Sequence, residues 1–312
     1  MAPQRHSAAV STARPRLIRH SSLITGAERV SDSEAVKEQV RRHWAAQAAR
    51  WSAQQARMAS ANRAVTAALL AAARVGPGLR VLDLASGAGE PALTLAEVVG
   101  PGGRVTATDL APEMLAGAEE LARERGLTNI AFRQADAEAL PFPDASFDRV
   151  TCRLGVMFFP DLPRALGEAR RVLVPDGLVA LLVWGPFERN PAHSATTGVL
   201  RRYLPAGTGE PPVAGVMFKY AESGMLAAAL RAAGFRDVME EARALTVDFE
   251  STADDYWRSR AEPGSQLDQL LTRVPPEQRE EAITAALAAL HQYERDGHLV
   301  FPAAVNIATG RR

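Results

Sequence analysis

The chain has 312 residues, 36 basic and 36 acidic side chains balancing to a formal net charge of +0, and 47% hydrophobic residues. Such a balance offers no whole-chain attraction for nucleic acid or an anionic membrane surface, and the composition suits one large globular domain with additions. The single cysteine, Cys152, excludes an internal disulfide, and no apolar run approaches the roughly eighteen residues that cross a bilayer.

Residues 1–27 carry Arg5, Arg14, Arg16 and Arg19 and no acid. A segment so poor in buriable surface is expected to be a disordered tail. An organelle transit peptide has a similar composition. Arginine and alanine are abundant throughout, however, and Lys37 and Lys219 are the only lysines, so a cytoplasmic protein is expected. From 28 to 78 the pattern is helical, with Val36, Val40, Trp44 and Trp51, then Val65, Leu69 and Leu70, closed by Gly76-Pro77-Gly78. Trp44 and Trp51 have two readings: anchors of these helices on the core, or covers over a ligand site.

Residues 81–96, VLDLASGAGEPALTLA, are the most informative stretch. An apolar run broken by Asp83 turns through Ala85-Ser86-Gly87-Ala88-Gly89 and continues with Leu93, Leu95, Ala96 and Val99 at helical spacing. This pattern predicts a buried strand, a tight glycine turn and a helix whose N-terminus faces a ligand. Gly87-x-Gly89-x-x-Ala92 also fits a relaxed dinucleotide pattern, with Asp109 where a ribose-binding acid belongs. Asp83 shifts the balance between the ligands. A carboxylate inside the strand repels a pyrophosphate, whereas S-adenosylmethionine brings an ammonium and a sulfonium.

Four blocks then carry a family resemblance: VLDLASGAGE at 81–90, VTATDLAPEML at 105–115, RQADAEALPFPDASFDRVTCRLG at 133–155 and EARRVLVPDGLVALLVW at 168–184. In this order they resemble the class I SAM-dependent methyltransferases, and among them the ubiquinone and menaquinone C-methyltransferases. The resemblance implies that Gly87 and Gly89 form the turn beneath the cofactor, with Ala85 beside it, and that Asp83 serves its amino-acid end. It implies further that Asp109 takes the ribose hydroxyls, Leu110 packs on the adenine, and Asp136 with the Ala137 N–H reads the adenine edge. Arg153 has three open roles: the cofactor carboxylate, the substrate, or a structural partner for Asp83.

The pattern predicts an α/β fold with strands at 80–84, 104–108, 130–133, 147–152 and 178–184 and helices from about 90, 112, 161 and 221. The resemblance makes it a Rossmann-like, mostly parallel seven-stranded sheet with helices on both faces. The sixth strand is expected in 236–249 and the seventh, antiparallel, in 298–308. The implied organisation is a SAM-binding core over 79–249, a helical insertion over 250–297 and the last strand in 298–312. The proline-rich loop at 185–220 and the helices at 251–297 are expected to wall the substrate side.

Methyl transfer is chiefly a problem of alignment and water exclusion. Among His43, His193, His291 and His298, the candidate general base is His193, since it follows the strand ending at Trp184. Met157, Phe158 and Trp184 are the expected apolar contacts of the acceptor, together with Trp44 and Trp51 if these cover the site. Cys152-Arg153-Leu154-Gly155 stands where the enzymes of this fold that methylate exocyclic or amide nitrogens carry [ND]-P-P-[YF]. The expectation is therefore a SAM-dependent transferase acting at O or C of a small apolar or aromatic metabolite. No metal, nucleic-acid partner or membrane span is expected, and a homodimer stays open. The alternatives are an NAD(P)-dependent oxidoreductase, for which the chain lacks a Tyr-x-x-x-Lys pair, and a catalytically silent binding subunit.

Overall fold

Val81, Leu82 and Leu84 give β1 (Arg80–Leu84) the continuous apolar character of a strand buried on both faces. Parallel neighbours flank it, β2 (Arg104–Asp109) on one side and β4 (Phe147–Arg153) on the other. The full order is β3 (Ile130–Gln134), β2, β1, β4, β5 (Leu173–Trp184), β8 (His298–Arg311) and β6 (Arg236–Phe249). β8 runs antiparallel to both β5 and β6. The computed structural model describes residues 26–207 and 216–312, so the tail expected at 1–27 lies almost wholly outside the described residues.

The sheet has eight strands where seven were expected, because β7 (Glu294–Arg295) pairs with the start of β8. Asp296 and Gly297 connect them, both with positive φ. An Asp-Gly pair in that conformation is the favoured two-residue hairpin turn, a signal present in the sequence and overlooked beside the stronger helical pattern before it.

Two helices precede the sheet, α1 (Gly26–Ala61) and α2 (Arg63–Ala72). The crossovers are α3 (Ala92–Val99), α4 (Pro112–Glu124) and α5 (Leu162–Val172). After β5 the chain coils through 191–201, including a π-helical turn at Ser194–Gly198. It then forms α6 (Met225–Ala232) before β6. Between β6 and β7 lie α7 (Ala253–Arg260), α8 (Gln266–Leu271) and α9 (Arg279–His291). Thr252 and Ser265 start α7 and α8 by accepting the backbone N–H of Asp255 and Asp268, respectively, as side-chain oxygens at helix N-caps do.

From β1 the parallel order runs outward to β2 and β3 on one side and to β4 and β5 on the other, so the carboxyl ends of β1 and β4 flank the switch point of the sheet. Ligands of open α/β sheets bind in that crevice. Two non-glycine residues with left-handed backbone stand there, Ala85 (φ 52) after β1 and Leu154 (φ 58) after β4. Each costs of order 1–3 kcal/mol, strain that persists where the surroundings enforce it. Gly155 lets the two turns touch: a Cβ on it would lie 2.6 Å from the Ala85 Cβ and 2.7 Å from the Cys152 Sγ.

Gly155→Ala is therefore expected to force these turns apart, at a cost of about 1–3 kcal/mol from overpacking. Thermal unfolding checks it, with a fall in Tm of at least about 2–4 °C for a chain of this size; an unchanged Tm would show that the turns have slack.

Candidate active site

A cavity of about 330 Å³ opens at the carboxyl ends of β1, β2 and β4, within the range of small-molecule sites. Ala85, Gly87, Asp109, Leu110, Asp136, Ala137 and Arg153 all line it, as do Trp44, Trp51, Met157, Phe158, Trp184 and His193. Asp83 and Gly89 do not. They lie behind the wall, and Gly89 (φ 113) shapes the turn where a Cβ would meet the Leu93 Cδ1 at 2.8 Å.

Asp83 is fully buried. Its register partner across the β1–β4 pair is Thr151, whose hydroxyl donates to Asp83 Oδ1 at 2.6 Å. Oδ2 has no hydrogen-bond partner. Burial pushes the carboxyl up to about 7, against the pull of the Thr151 and Ser86 hydroxyls and the Arg153 charge. Arg153, one strand end away, donates to Thr66 Oγ1 (2.6 Å) and to the Glu90 carbonyl (2.9 Å) and leaves its Nε unpartnered. An acid oxygen and a guanidinium N–H both lacking partners suit the ammonium and carboxylate of an amino-acid end.

Asp109, at the end of β2, accepts the backbone N–H of Gly87 (3.0 Å) and of Ala111 (2.9 Å). Burial raises its pKa, opposed by these N–H donors. A carboxylate has about four acceptor sites, so two remain for a cis-diol. Asp136 accepts the Glu138 N–H through Oδ1 (2.8 Å), while Lys37 Nζ holds Oδ2 at 2.9 Å.

Lys37 was not among the residues singled out in the sequence. It reaches from α1 to Glu34 and Asp136 and, at 2.7 Å, to the buried Glu138. Burial alone lowers an ammonium, but the carboxylates of Asp136, Glu138 and Glu34 outweigh it and hold Lys37 above its ordinary value. Its signal was compositional, since it is one of two lysines in an arginine-rich chain.

Trp44 stands between the cavity and the core. It lines the cavity edge-on to Phe158 (5.2 Å between centroids), and with Trp51 it packs α1 on Ala88, Ala111 and Met114. The far end of the cavity is aromatic. His193 meets Trp184 (5.3 Å) and Phe218 (5.5 Å) edge-on, and Phe249, Tyr256 and Phe301 form a cluster with centroids 4.8–6.1 Å apart. No local pattern in the sequence marked these three. Burial, with the Arg260 charge beside it, pushes His193 down to about 3. Burial thus works against the general-base role expected of His193. His43 also lines the cavity and is lowered by burial. His291 and His298 lie outside it, facing Asp254 and Asp248.

Residues 82–181 match the family model described as a methyltransferase domain. The chain is 50% identical over 107 residues to the demethylmenaquinone methyltransferase of Thermus thermophilus, covering 34% of this chain and 48% of that protein. It is 35% identical over 174 residues to the nocamycin O-methyltransferase of Saccharothrix syringae, covering 53% and 61%, respectively. A crystal structure of a putative methyltransferase from Bacillus halodurans shares the fold, with a TM-score of 0.51 at 23% identity over 79% of this chain and 97% of that one. The chain thus spans about half the length of the curated relatives it matches. The fold is that of the class I methyltransferases, whose cofactor is S-adenosyl-L-methionine, and residues 82–181 match a methyltransferase domain. Within that class the chain resembles the ubiquinone and menaquinone C-methyltransferases.

Two outcomes follow from the buried charges. Asp83 holds its proton more tightly folded (about 7) than unfolded (about 3.9). Its contribution to stability is thus complete below the unfolded value and is lost as pH rises through the folded one. Asp83→Asn is expected to raise the Tm of the cofactor-free protein at pH 8 by about 2–4 °C, equivalent to about 1 kcal/mol, with little change near pH 4. Scanning calorimetry at both pH values checks it, and an equal shift at both would sink the assignment. Lys37→Met leaves the Glu138 carboxylate buried without its cation, a loss of about 3–5 kcal/mol. Denaturant unfolding should show most of that loss recovered in Lys37→Met combined with Glu138→Gln.

Proposed function

We propose that this protein is a SAM-dependent methyltransferase acting at O or C of a small, apolar or aromatic acceptor. The observation that carries this reading is one continuous cavity with two unlike ends. Asp109, Asp136 and the glycine turn stand at one end, and Trp184, Phe249, Tyr256 and Phe301 at the other. The cofactor, when bound, supplies a methyl group made electrophilic by a sulfonium.

The chain's own part is to bind and orient. Arg153 would hold the carboxylate of the amino-acid end, with Asp83 behind the wall favouring its ammonium, Asp109 the ribose hydroxyls, Leu110 the adenine face, and Asp136 with the Ala137 N–H the adenine edge. The aromatic end holds a flat acceptor and keeps water away from it, which serves a transfer limited by alignment. Residues 250–297 act as the wall of the acceptor end, through Tyr256, Ser259 and Arg260 of α7 and Ser265, Gln266 and Leu267 at the start of α8. A dinucleotide is less well suited, because the uncompensated Asp83 lies directly beneath the turn that would meet its pyrophosphate.

Isothermal titration with S-adenosylmethionine and, separately, with NADH tests the reading. SAM is expected to bind, and Asp109→Ala to weaken it by about 10- to 100-fold, the loss of one or two charge-assisted hydrogen bonds. Binding of NADH without SAM would reverse the conclusion, and binding of neither would favour a silent subunit.

A further inference from the structure

The carboxylates that line the cavity are confined to one end. Its wall contains the acids Glu90, Asp109, Asp136 and Glu138, all at the cofactor end. Around the aromatic end the charged residues are arginines, and Arg260 is the informative one. It closes α7 and lines the cavity, whereas Arg258 of the same turn is exposed and paired with Asp255. Among the described residues Arg260 has no carboxylate within ion-pair reach and no hydrogen-bond acceptor. Its recorded contact is the Tyr256 ring, 6.0 Å from guanidinium carbon to ring centroid.

A cation in the last turn of a helix is favoured by the helix carbonyls, but Arg258 has the same advantage while pointing outward. That preference does not explain why Arg260 faces the cavity. A guanidinium partly withdrawn from water beside the Tyr256 ring, with no anion beside it, calls for a counter-charge from the ligand.

We propose that the acceptor binds as an oxyanion, a phenolate or enolate conjugated to a flat apolar body, with its ionised oxygen against Arg260. This rests on the methyltransferase reading above. The proton leaves to solvent as the acceptor binds, so no base from the chain is needed. The neutral, weakly basic His193 is consistent with that, since the Arg260 field that opposes its protonation favours the ionised form of any acid bound nearby. The flat body lies among Trp184, Phe249 and Phe301, with the cationic cofactor at the end that holds the cavity's carboxylates and the anionic acceptor at the end that holds Arg260.

The test uses the full chain saturated with S-adenosylhomocysteine, which prevents turnover. 4-Nitrophenol is titrated in, with 4-nitroanisole as its neutral isostere, and the phenolate absorption reports ionisation in the complex. At pH 8 the wild type is expected to bind the phenolate at least about tenfold more tightly than the ether, and to lower the apparent pKa of the bound phenol by about one unit, the same tenfold preference. Arg260→Met should abolish both effects and Arg260→Lys should retain part of them, with S-adenosylhomocysteine affinity unchanged in both variants. Equal affinity for phenolate and ether in the wild type, or discrimination that survives Arg260→Met, overturns the proposal while leaving the cofactor assignment standing. Failure of the wild type to bind S-adenosylhomocysteine overturns both.

Discussion

Asp83 stands one residue from the end of β1, opposite Thr151 of β4, in the middle of a sheet covered on both faces. A lone hydroxyl does not compensate a buried carboxylate, and its second oxygen is unpartnered. The surroundings hold that oxygen one wall away from the cavity. The Asp83 carbonyl accepts the hydroxyls of Ser86 and Thr108, each at 3.0 Å, which pins the turn above it. The left-handed Ala85 and the bare Gly155 then bring the two strand ends into contact. An uncompensated charge beneath a strained turn is a local conflict of the kind that proteins keep at functional sites.

The remaining charges at this end are arranged in the opposite sense. Asp109 is satisfied by two backbone N–H groups of the adjoining loops, so it is oriented before any ligand arrives. Asp136 is oriented by Lys37, which comes from a different element, and the same ammonium neutralises Glu138. Glu138 in turn accepts the Asp161 N–H at 2.7 Å and so positions the start of α5. Through Lys37 and Trp44 the long N-terminal helix becomes part of the cofactor wall.

The strand positions and the acids at the strand ends were legible in the sequence because they rest on local signals: an apolar run, a glycine turn, acids at the ends of successive strands. Asp83 to Asp109 to Asp136 is one acid per strand end, a spacing that survives without knowledge of packing. The aromatic end was only partly legible. Trp184 and His193 stand out by their position at and just after the end of β5, but Phe249, Tyr256 and Phe301 converge from β6, α7 and β8, and no window of sequence holds them together. The environment of His193 was illegible for a related reason. Its basicity depends on burial and on Arg260, sixty-seven residues away.

The Asp-Gly hairpin between β7 and β8 shows how a detail of turn chemistry reaches the site. Glu294 of β7 accepts the N–H of Ala253 at 2.9 Å, satisfying one of the free donors at the first turn of α7. Tyr293, just before it, packs against Phe301 at 5.2 Å, and Phe301 in turn meets Tyr256 of α7. Both attachments orient α7 against β8, one at its start and one at its middle. A rigid eight-residue helix held at those two points has little freedom left at its final residue, Arg260. The backbone position from which that guanidinium projects is thus held in part by a two-residue turn remote in sequence from any ligand motif.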